Sequence, residues 1–308
     1  MATRVATTQT PAEPADTPLR GRMLLDEPMS KHTSWRVGGP AQRFYLPADT
    51  ADLVVLLRRL PAEEPVYWIG LGSNLLVRDG GLRGTVICAA GVLDGWELRL
   101  PEHLHVQAGL SCAKVARIAA RAGLGGAEFL AGIPGTMGGA LAMNAGAFGG
   151  ETWRLVARAQ TVDRHGRIRE RGPEAFRTAY REVHGESGEW FLGAELHLAA
   201  DPDRQASTRI KALLAQRNAT QPTRQRSCGS VFRNPPGEHA ARLIEHCGLK
   251  GRRIGAACVS EKHANFIVNL GQARAADIEA LIALVQAQVL ATHGVRLIPE
   301  VRIVGEMD

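Results

Sequence analysis

Apolar and polar residues alternate along this chain with two different periods. Short apolar runs such as Val66–Ile69 predict buried strands, whereas segments with an apolar residue every three or four positions predict amphipathic helices. Asp49 and Ser111 stand directly before two helical segments, 50–60 and 113–122, and both residue types favour helix N-caps. The first part of the chain is therefore predicted to mix strands and helices.

The second part of the chain contains the most strongly amphipathic segment. Its buried stripe is predicted to be Ile278, Leu281, Ile282, Val285 and Val289. Gly294 would end this helix, because glycine adopts the left-handed C-cap conformation without strain. Further predicted elements are strands at 85–89, 156–162, 190–198, 264–269 and 295–304 and helices at 208–218 and 238–247. Together these elements predict an α+β fold.

A domain boundary is expected near residue 203, where Asp201-Pro-Asp interrupts the pattern. A chain of 308 residues is long enough for two domains with separate cores. Residues 1–20 are rich in Thr, Pro and Ala and lack the apolar core of a signal peptide, so a disordered tail is expected there. No apolar stretch is expected to reach the roughly 20 residues that a membrane span needs.

The segment 123–150 combines many glycines with apolar residues and a single charge, Glu128. Glycine loses the most backbone entropy on folding, so this composition suggests a main chain that must approach something closely. Bare N–H groups can hold an anion and small side chains leave room for a ring, which favours a phosphate-bearing, planar cofactor. A tightly turning core segment is the alternative.

A second glycine loop, Gly70-Leu-Gly-Ser-Asn74, directly follows the predicted strand Val66–Ile69. It offers N–H and hydroxyl donors where a strand ends, although an ordinary turn would have the same composition. The loop lacks the third glycine of the dinucleotide-binding fingerprint. No Lys-Ser or Lys-Thr pair follows a glycine-rich loop, so a Walker-type NTPase site is not predicted.

The chain is basic, with a net charge of +6 at pH 7. Aromatic residues make up only 5% of the chain, and no long basic run occurs, so the arginines between Arg217 and Arg253 suit small polyanions at least as well as nucleic acid. The five cysteines form no CxxC pair, which indicates reduced thiols in a cytosolic protein. His103 and His105 share a strand face without further ligands, so no metal is expected.

Several longer motifs occur in order along the chain. They are GSNLLVRD from Gly72, GIPGTMGGALAMNAGAFGGE from Gly132, Tyr180-Arg181, GSVFRNP from Gly229, KHANFIVN from Lys262 and Pro299-Glu300-Val301. With these motifs the chain resembles the UDP-N-acetylenolpyruvoylglucosamine reductase (UDP-N-acetylmuramate dehydrogenase) family from about His32 to Gly305. The segment between Arg181 and Arg217 is too short for the inserted tyrosine-bearing loop of some members, so the resemblance is to the shorter form.

The resemblance implies an FAD-binding domain and a substrate-binding domain. The first would be a unit of two α+β subdomains over 21–203, of the vanillyl-alcohol oxidase/p-cresol methylhydroxylase type, and the second an α+β domain over 204–308. FAD would be bound without a covalent link, since 123–150 contains neither His nor Cys. The implied cofactor-binding residues are Gly70, Gly72, Ser73, Asn74, Leu75, Pro134, Gly135, Gly138, Gly139, Asn144 and Gly146.

The resemblance also implies a reaction in the cytoplasm. NADPH would be the reductant, and UDP-N-acetylglucosamine enolpyruvate would be reduced to UDP-N-acetylmuramate for peptidoglycan synthesis. Ser230 matches the family's proton donor to carbon C2 of the enolpyruvyl group, and Arg181 and Glu300 match the pair that holds and polarises the substrate carboxylate. An arginine fork suits a carboxylate, and Glu300 fits beside one if it is protonated.

Contacts to the UDP-sugar are implied for five residues, namely Arg217, Asn234, Tyr180, Gln221 and His263. The chain departs from the family at Val183, where relatives often have Ser. Another FAD enzyme of the same fold, such as an oxidase that uses oxygen, is an alternative. The motifs GSVFRNP and KHANFIVN argue against it, because the fold alone would not require them. A basic nucleic-acid-binding module is a second alternative, although neither nucleic acid nor a membrane is the expected partner.

Overall fold

The computed structural model describes residues 17–99 and 101–308. Its helices are α1 (Thr50–Arg59), α2 (Cys112–Arg121), α3 (Met137–Ala142), α4 (Ala206–Thr220), α5 (Ala240–His246) and α6 (Ala275–His293). Its strands are β1 (Arg22–Pro28), β2 (Pro40–Leu46), β3 (Val66–Ile69), β4 (Leu75–Val77), β5 (Leu82–Cys88), β6 (Trp96–Arg99), β7 (His103–Gln107), β8 (Leu124–Gly125), β9 (Gly146–Ala147), β10 (Gly150–Glu151), β11 (Val156–Asp163), β12 (Ile168–Arg171), β13 (Arg177–Ala179), β14 (Glu182–His184), β15 (Glu189–His197), β16 (Ala199–Ala200), β17 (Arg253–Ile254), β18 (Ala257–Val259), β19 (Ile267–Asn269) and β20 (Arg302–Val304).

The described chain forms two compact units, each assembled from discontinuous segments. Unit 1 contains 17–24, 44–70, 85–99 and 101–214, and unit 2 contains 25–43, 71–84 and 215–308. The units divide within α4, whereas the boundary predicted near residue 203 lies in the turn before that helix. A single cut in the sequence does not separate these units, because unit 2 includes two segments from the first part of the chain. The division into cofactor and substrate domains at 203 therefore stays a prediction.

Unit 1 is built on a five-stranded antiparallel sheet with the strand order β12-β11-β15-β7-β6. The helix α2 lies in the same core and begins at Ser111, whose hydroxyl accepts the Lys114 N–H at 3.3 Å. Asp49 caps α1 in the same way and accepts the Asp52 N–H at 2.9 Å. Both helices agree with the predicted segments to within a residue, because the capping residues act locally.

Asp52, in the first turn of α1, is a buried carboxylate with three hydrogen bonds. It accepts the Tyr45 hydroxyl at 2.6 Å and the N–H groups of Arg20 and Ala48 at 2.7 and 2.9 Å. Burial alone would raise the pKa of Asp52, but the hydrogen bonds outweigh it and lower that pKa below the usual value. The predicted disordered tail is corrected over 17–20, since Arg20 contacts α1, and 1–16 lie outside the described residues.

Unit 2 combines the antiparallel sheet β17-β18-β19, the parallel pair of β4 and β20, and the helices α5 and α6. The predicted apolar stripe of α6 is buried in its core, and Gly294 ends the helix with a left-handed φ of 68°. Contrary to the expectation from sequence, α6 is long and apolar enough to span a membrane. Its buried stripe instead identifies it as a core helix of this unit.

The predicted strand at 295–304 is wrong over most of its length. Only Arg302–Val304 is a strand, because its partner β4 has three residues. The preceding segment bonds to a different part of the chain: the Arg233 N–H donates to Ile298 O at 2.9 Å, and the Glu300 N–H donates to Val231 O at 2.7 Å. The predicted strand at 264–269 is similarly reduced to Ile267–Asn269, since a turn closes between Phe266 and His263.

We expect Asp52→Asn to lower the free energy of unfolding at neutral pH by about 1–3 kcal/mol, because an amide N–H would face groups that need an acceptor. The pKa of Asp52 is lowered in the folded state, so its stabilisation is present above the unfolded pKa of about 3.9 and is lost as the pH falls through the folded value. Urea unfolding over a pH series measures this. The exposed Asp203→Asn serves as the control. If the free energy of unfolding of Asp52→Asn differed from that of the wild type by the same amount at every pH, the stabilising role of the Asp52 carboxylate would be contradicted.

Candidate active site

The predicted site residues are distributed over both units. Unit 1 contains Gly70, Pro134, Gly135, Gly138, Gly139, Asn144, Gly146, Tyr180 and Arg181. Unit 2 contains Gly72, Ser73, Asn74, Leu75, Arg217, Gln221, Ser230, Asn234, His263 and Glu300. Each unit therefore carries part of the predicted cofactor set and part of the predicted catalytic set.

In unit 1 the end of β3 meets the start of α3. A Cβ on Gly70 would lie 2.3 Å from Thr136 Oγ1, so only glycine allows this approach. The α3 turn is itself anchored, since the Met137 N–H donates to Leu110 O at 2.9 Å and the Gly138 N–H donates to Ala108 O at 2.8 Å. The two glycine loops singled out from the sequence thus contact each other through Gly70.

The glycines of the 123–150 segment serve two different purposes. Gly138 is buried, and a Cβ there would lie 2.9 Å from the Cβ of Ala108; a Cβ on Gly146 would lie 2.5 Å from Gly150 O. These two glycines are required by packing within the protein. Gly139 is exposed, and its nearest neighbour to an added Cβ is Thr136 Oγ1 at 3.9 Å. Gly139 therefore presents bare main chain to an open surface.

Asn144 holds the segment together from inside. It is buried with a φ of 44°, its Nδ2 donates to Ala179 O at 3.1 Å and to Glu151 Oε2 at 3.3 Å, and its Oδ1 accepts the Trp153 N–H at 3.1 Å. Asparagine tolerates this left-handed conformation better than most residues. Asn144 is a predicted cofactor-binding residue, and its side-chain amide is engaged with the protein.

Arg181 lies in the turn between β13 and β14, with a φ of 58°. Its Nη2 donates to Gly146 O at 2.8 Å, and its guanidinium carbon lies 5.0 Å from the ring centroid of the exposed Tyr180. The structure thereby brings Arg181 to the glycine segment of the same unit. A planar guanidinium held from one side in this way keeps a defined orientation.

In unit 2 the loop that carries Ser230 is held on two sides. The Val231 N–H donates to Asn265 O at 2.9 Å, and Val231 O accepts the Glu300 N–H at 2.7 Å. Ser230 is half-buried and directly follows Gly229, which has a φ of 85°. The structure therefore brings together two of the three predicted catalytic residues, Ser230 and Glu300, on adjoining main chain.

Asn265 was not singled out from the sequence, although it organises this loop. Its Oδ1 accepts the Phe232 N–H at 2.9 Å, and its Nδ2 donates to Phe232 O at 2.8 Å. Asn265 is buried, and a buried amide must be hydrogen-bonded. A polar residue inside the apolar run Ala-Asn-Phe-Ile-Val was the signal that could have identified it.

Cys228 lies in the core behind the same loop. Burial, and then the nearby charge of Glu300, raise the pKa of the Cys228 thiol well above its usual value. The thiol consequently stays neutral and inert.

Arg217, at the end of α4, is half-buried, and its Nε donates to Gln221 Oε1 at 3.1 Å. Burial is the only cause that lowers the pKa of this guanidinium, so in the described part of the chain no carboxylate compensates it. Gln221 also lines a cavity of about 570 Å³ with Arg224, Arg253 and Lys262. A desolvated cation next to a basic cavity favours an anionic ligand.

His263 and Asn234 have structural contacts. His263 packs edge-on against Phe266 with ring centroids 4.8 Å apart, and its Nδ1 accepts the Asn265 N–H at 3.3 Å. Burial lowers the pKa of His263, which keeps the imidazole neutral. Asn234 is exposed, and its Oδ1 accepts the Ala240 N–H at the start of α5 at 3.1 Å.

A phosphate-bearing cofactor fits the donors that unit 2 leaves beside the Gly72 loop. Ser34 N–H donates to Gly72 O at 3.2 Å, and the buried Ser34 hydroxyl has no hydrogen-bond partner among the described residues. An orphaned buried hydroxyl is costly unless a ligand or water satisfies it. A Cβ on Gly72 would lie 2.0 Å from His32 O, so a side chain at this position would clash with the segment that carries Ser34. Within the described residues no group of three or more His, Cys, Asp or Glu side chains could hold a metal ion.

Known proteins resemble this chain over nearly its whole length. The FAD binding domain family matches residues 41–172, and the family described as UDP-N-acetylenolpyruvoylglucosamine reductase, C-terminal domain, matches residues 221–304. The UDP-N-acetylenolpyruvoylglucosamine reductase of Alkalilimnicola ehrlichii is 63% identical over 286 residues, which cover 93% of this chain and 96% of the relative. That of Methylococcus capsulatus is 63% identical over 289 residues, covering 94% and 95%.

The crystal structure of UDP-N-acetylenolpyruvylglucosamine reductase from Thermus caldophilus superposes on this fold with a TM-score of 0.76. It is 34% identical and covers 92% of this chain and 98% of that one. These matches confirm the predicted family, the α+β fold class and the FAD-binding domain. The chain therefore belongs to the UDP-N-acetylenolpyruvoylglucosamine reductase family, and it is an FAD-dependent oxidoreductase.

Proposed function

We propose that the protein reduces UDP-N-acetylglucosamine enolpyruvate to UDP-N-acetylmuramate with NADPH, in the cytoplasmic synthesis of peptidoglycan precursors. The observation that supports this best is the bond from the Glu300 N–H to Val231 O at 2.7 Å, which joins the main chain of Glu300 to the loop of the half-buried Ser230. The relatives with 63% identity carry the name of this reductase. The geometry and the relatives together favour a reaction that needs a proton donor next to a group that binds the substrate carboxylate.

When bound, FAD would supply the hydride for carbon C3 of the enolpyruvyl group, with NADPH as its source. Hydride addition at C3 leaves carbanion character at C2, beside the substrate carboxylate. The site must therefore provide a proton at C2 and a partner for the carboxylate. Ser230 donates its hydroxyl proton to C2; a serine is a weak acid, but the C2 species is a stronger base than the resulting alkoxide.

Arg181 and Glu300 hold the substrate carboxylate in this proposal. The bond from Arg181 Nη2 to Gly146 O orients the guanidinium plane, and a planar fork matches a carboxylate in two hydrogen bonds. Glu300 binds the same group in its protonated form, because two neighbouring carboxylates do not both ionise easily. The two residues then stabilise the electron density that the carboxylate accepts during reduction.

Arg217 contacts the diphosphate of the UDP-sugar. Its burial without a compensating carboxylate is the observation that supports this role. Gln221, Tyr180, His263 and Asn234 are proposed as further substrate contacts. For Asn234 the contact would come from Nδ2, since Oδ1 accepts from Ala240.

The glycine loops bind FAD without a covalent link. Gly70, Gly72, Ser73, Leu75, Pro134, Gly135 and Gly139 offer main-chain groups for this, and Ser34 adds a hydroxyl beside Gly72. Gly138, Gly146 and Asn144 shape the segment through their packing and internal bonds. These assignments follow from donor chemistry and from the close approach that glycine permits.

Mixing the protein with FAD, NADPH and UDP-N-acetylglucosamine enolpyruvate should consume NADPH, as measured by its absorbance, only when the UDP-sugar is present. An oxygen electrode run in parallel tests the alternative oxidase. Rapid oxygen uptake that does not depend on the UDP-sugar would contradict the proposed reaction.

Ser230→Ala should separate the two half-reactions. Reduction of the flavin by NADPH needs no proton at C2 and should stay near wild type. Oxidation of the reduced flavin by the enolpyruvyl substrate should slow by at least about 10²-fold, the usual loss when a general acid is removed. Stopped-flow absorbance measures both, and Ser230→Cys should keep part of the activity. Equal slowing of both halves would count against the role of Ser230.

Arg217→Ala should raise the KM for the UDP-sugar by roughly 10- to 100-fold, the loss expected for one charge-assisted hydrogen bond of about 1.5–3 kcal/mol. Flavin reduction by NADPH should change less. Steady-state and stopped-flow kinetics measure the two effects, with the exposed Arg296→Ala as the control. An unchanged KM, or retention of nucleic acid that the substitution weakens, would overturn the assignment.

A further inference from the structure

The side chain of Asn74 contacts the main chain of Glu300. Asn74 Nδ2 donates to Glu300 O at 3.0 Å, and Asn74 O accepts the Arg302 N–H at 3.1 Å. Asn74 is the last residue of the glycine loop before β4, and Glu300 lies two residues before β20. The resemblance to the family implies that Asn74 binds the cofactor, and the structure shows that its amide nitrogen donates inside unit 2.

The main chain of Glu300 is held by two different segments. Its N–H donates to Val231 O at 2.7 Å, in the Ser230 loop, and its C=O accepts the Asn74 amide. The parallel register begins at the following pair, Leu75 with Arg302, so Glu300 lies just outside the ladder of these two strands. Pro299, directly before it, has no N–H to donate. These two bonds therefore help to fix the main chain from which the Glu300 side chain extends.

We propose that Asn74 is a positioning residue for Glu300. Its amide fixes the peptide group of Glu300, so that the carboxyl group meets the substrate carboxylate, while the cofactor contacts of this loop come from its main chain. This inference rests on the proposed function, in which Glu300 binds that carboxylate. A displacement of about 1 Å at a reacting group can cost about 10²-fold in rate, so a bond that only orients Glu300 has a measurable effect on catalysis.

Asn74→Ala removes the donor without adding charge. Asn74→Asp keeps the size of the side chain but cannot donate, and it decides the question if the alanine variant does not fold. Gln42→Glu is the matched control: its Oε1 accepts the Gly84 N–H at 2.9 Å in the same unit, and a carboxylate keeps that acceptor. All variants are studied as full chains loaded with FAD.

Three measurements test the proposal. Flavin fluorescence gives the dissociation constant of FAD, stopped-flow absorbance gives the two half-reactions, and hydrogen exchange detected by mass spectrometry reports the peptide that contains Glu300 and Arg302. For Asn74→Ala we expect FAD affinity and flavin reduction near wild type. Oxidation of the flavin by the UDP-sugar should slow by about 10- to 100-fold, and the 300–302 amides should exchange faster.

Asn74→Ala in a Glu300→Gln background distinguishes a positioning role from a merely structural one. If Asn74 acts through Glu300, the double variant should be no slower than Glu300→Gln alone, because effects of residues that act as a unit do not add. The Gln42→Glu control should match wild type in every measurement.

Two results would overturn the proposal. If Asn74→Ala lost FAD affinity and slowed both half-reactions, its side chain would be a cofactor contact. If its effect on the rate of flavin oxidation added to that of Glu300→Gln, the two residues would act independently. A failure of the proposed function is distinguishable from either, since the wild-type protein would then bind FAD without passing hydride to the UDP-sugar. In that case the exchange measurement still decides whether Asn74 fixes the main chain of Glu300.

Discussion

The parallel pairing of β4 with β20 is the contact on which the organisation of unit 2 depends. Its register joins Leu75 to Arg302 and Val77 to Val304, so residues from opposite ends of the sequence become neighbours. Parallel strands need a long connection, and here the connection includes most of the chain. Because the pairing starts just after Asn74 and Glu300, it brings the glycine loop and a predicted catalytic residue to one end of the strand pair.

The other end of β4 secures the core helix α6. Arg78 pairs with Glu279 at 2.8 Å, and Asp79 accepts the N–H groups of Ala275 and Ala276 at 3.0 and 2.9 Å. A carboxylate at a helix N-terminus satisfies donors that have no partner within the helix. The motif GSNLLVRD thus combines a loop for the site, a strand for the core and an anchor for a helix.

Buried amide side chains hold the loops of both units in place. Asn265 bonds both main-chain groups of Phe232, and Asn144 joins Ala179, Glu151 and Trp153. A side-chain amide is neutral and offers both donors and an acceptor, so it bridges main-chain groups without the desolvation cost of a charge. These irregular loops thereby gain an order that a strand ladder would otherwise supply.

Prediction from the sequence succeeded where the determinants are local. The helices α1, α2 and α6 agree with their predicted segments because Asp49, Ser111 and Gly294 act on the nearest peptide groups. The glycine loops and the motifs of the family were also readable, since spacing and residue type suffice for them. The identity of a residue could not, however, tell whether its side chain faces a ligand or the protein.

The sequence by itself therefore determined the fold class, the family and the capped helices, and it supplied the site residues as predictions. The tertiary structure decided the rest: that 25–43 and 71–84 belong with the C-terminal segment, that the strand predicted at 295–304 is only three residues long, and that Asn74, Asn144 and Asn234 donate or accept within the protein. The physical reason is that each of these features depends on hydrogen-bond partners far away in sequence. Such partners are chosen when the whole chain folds, and no local pattern records them.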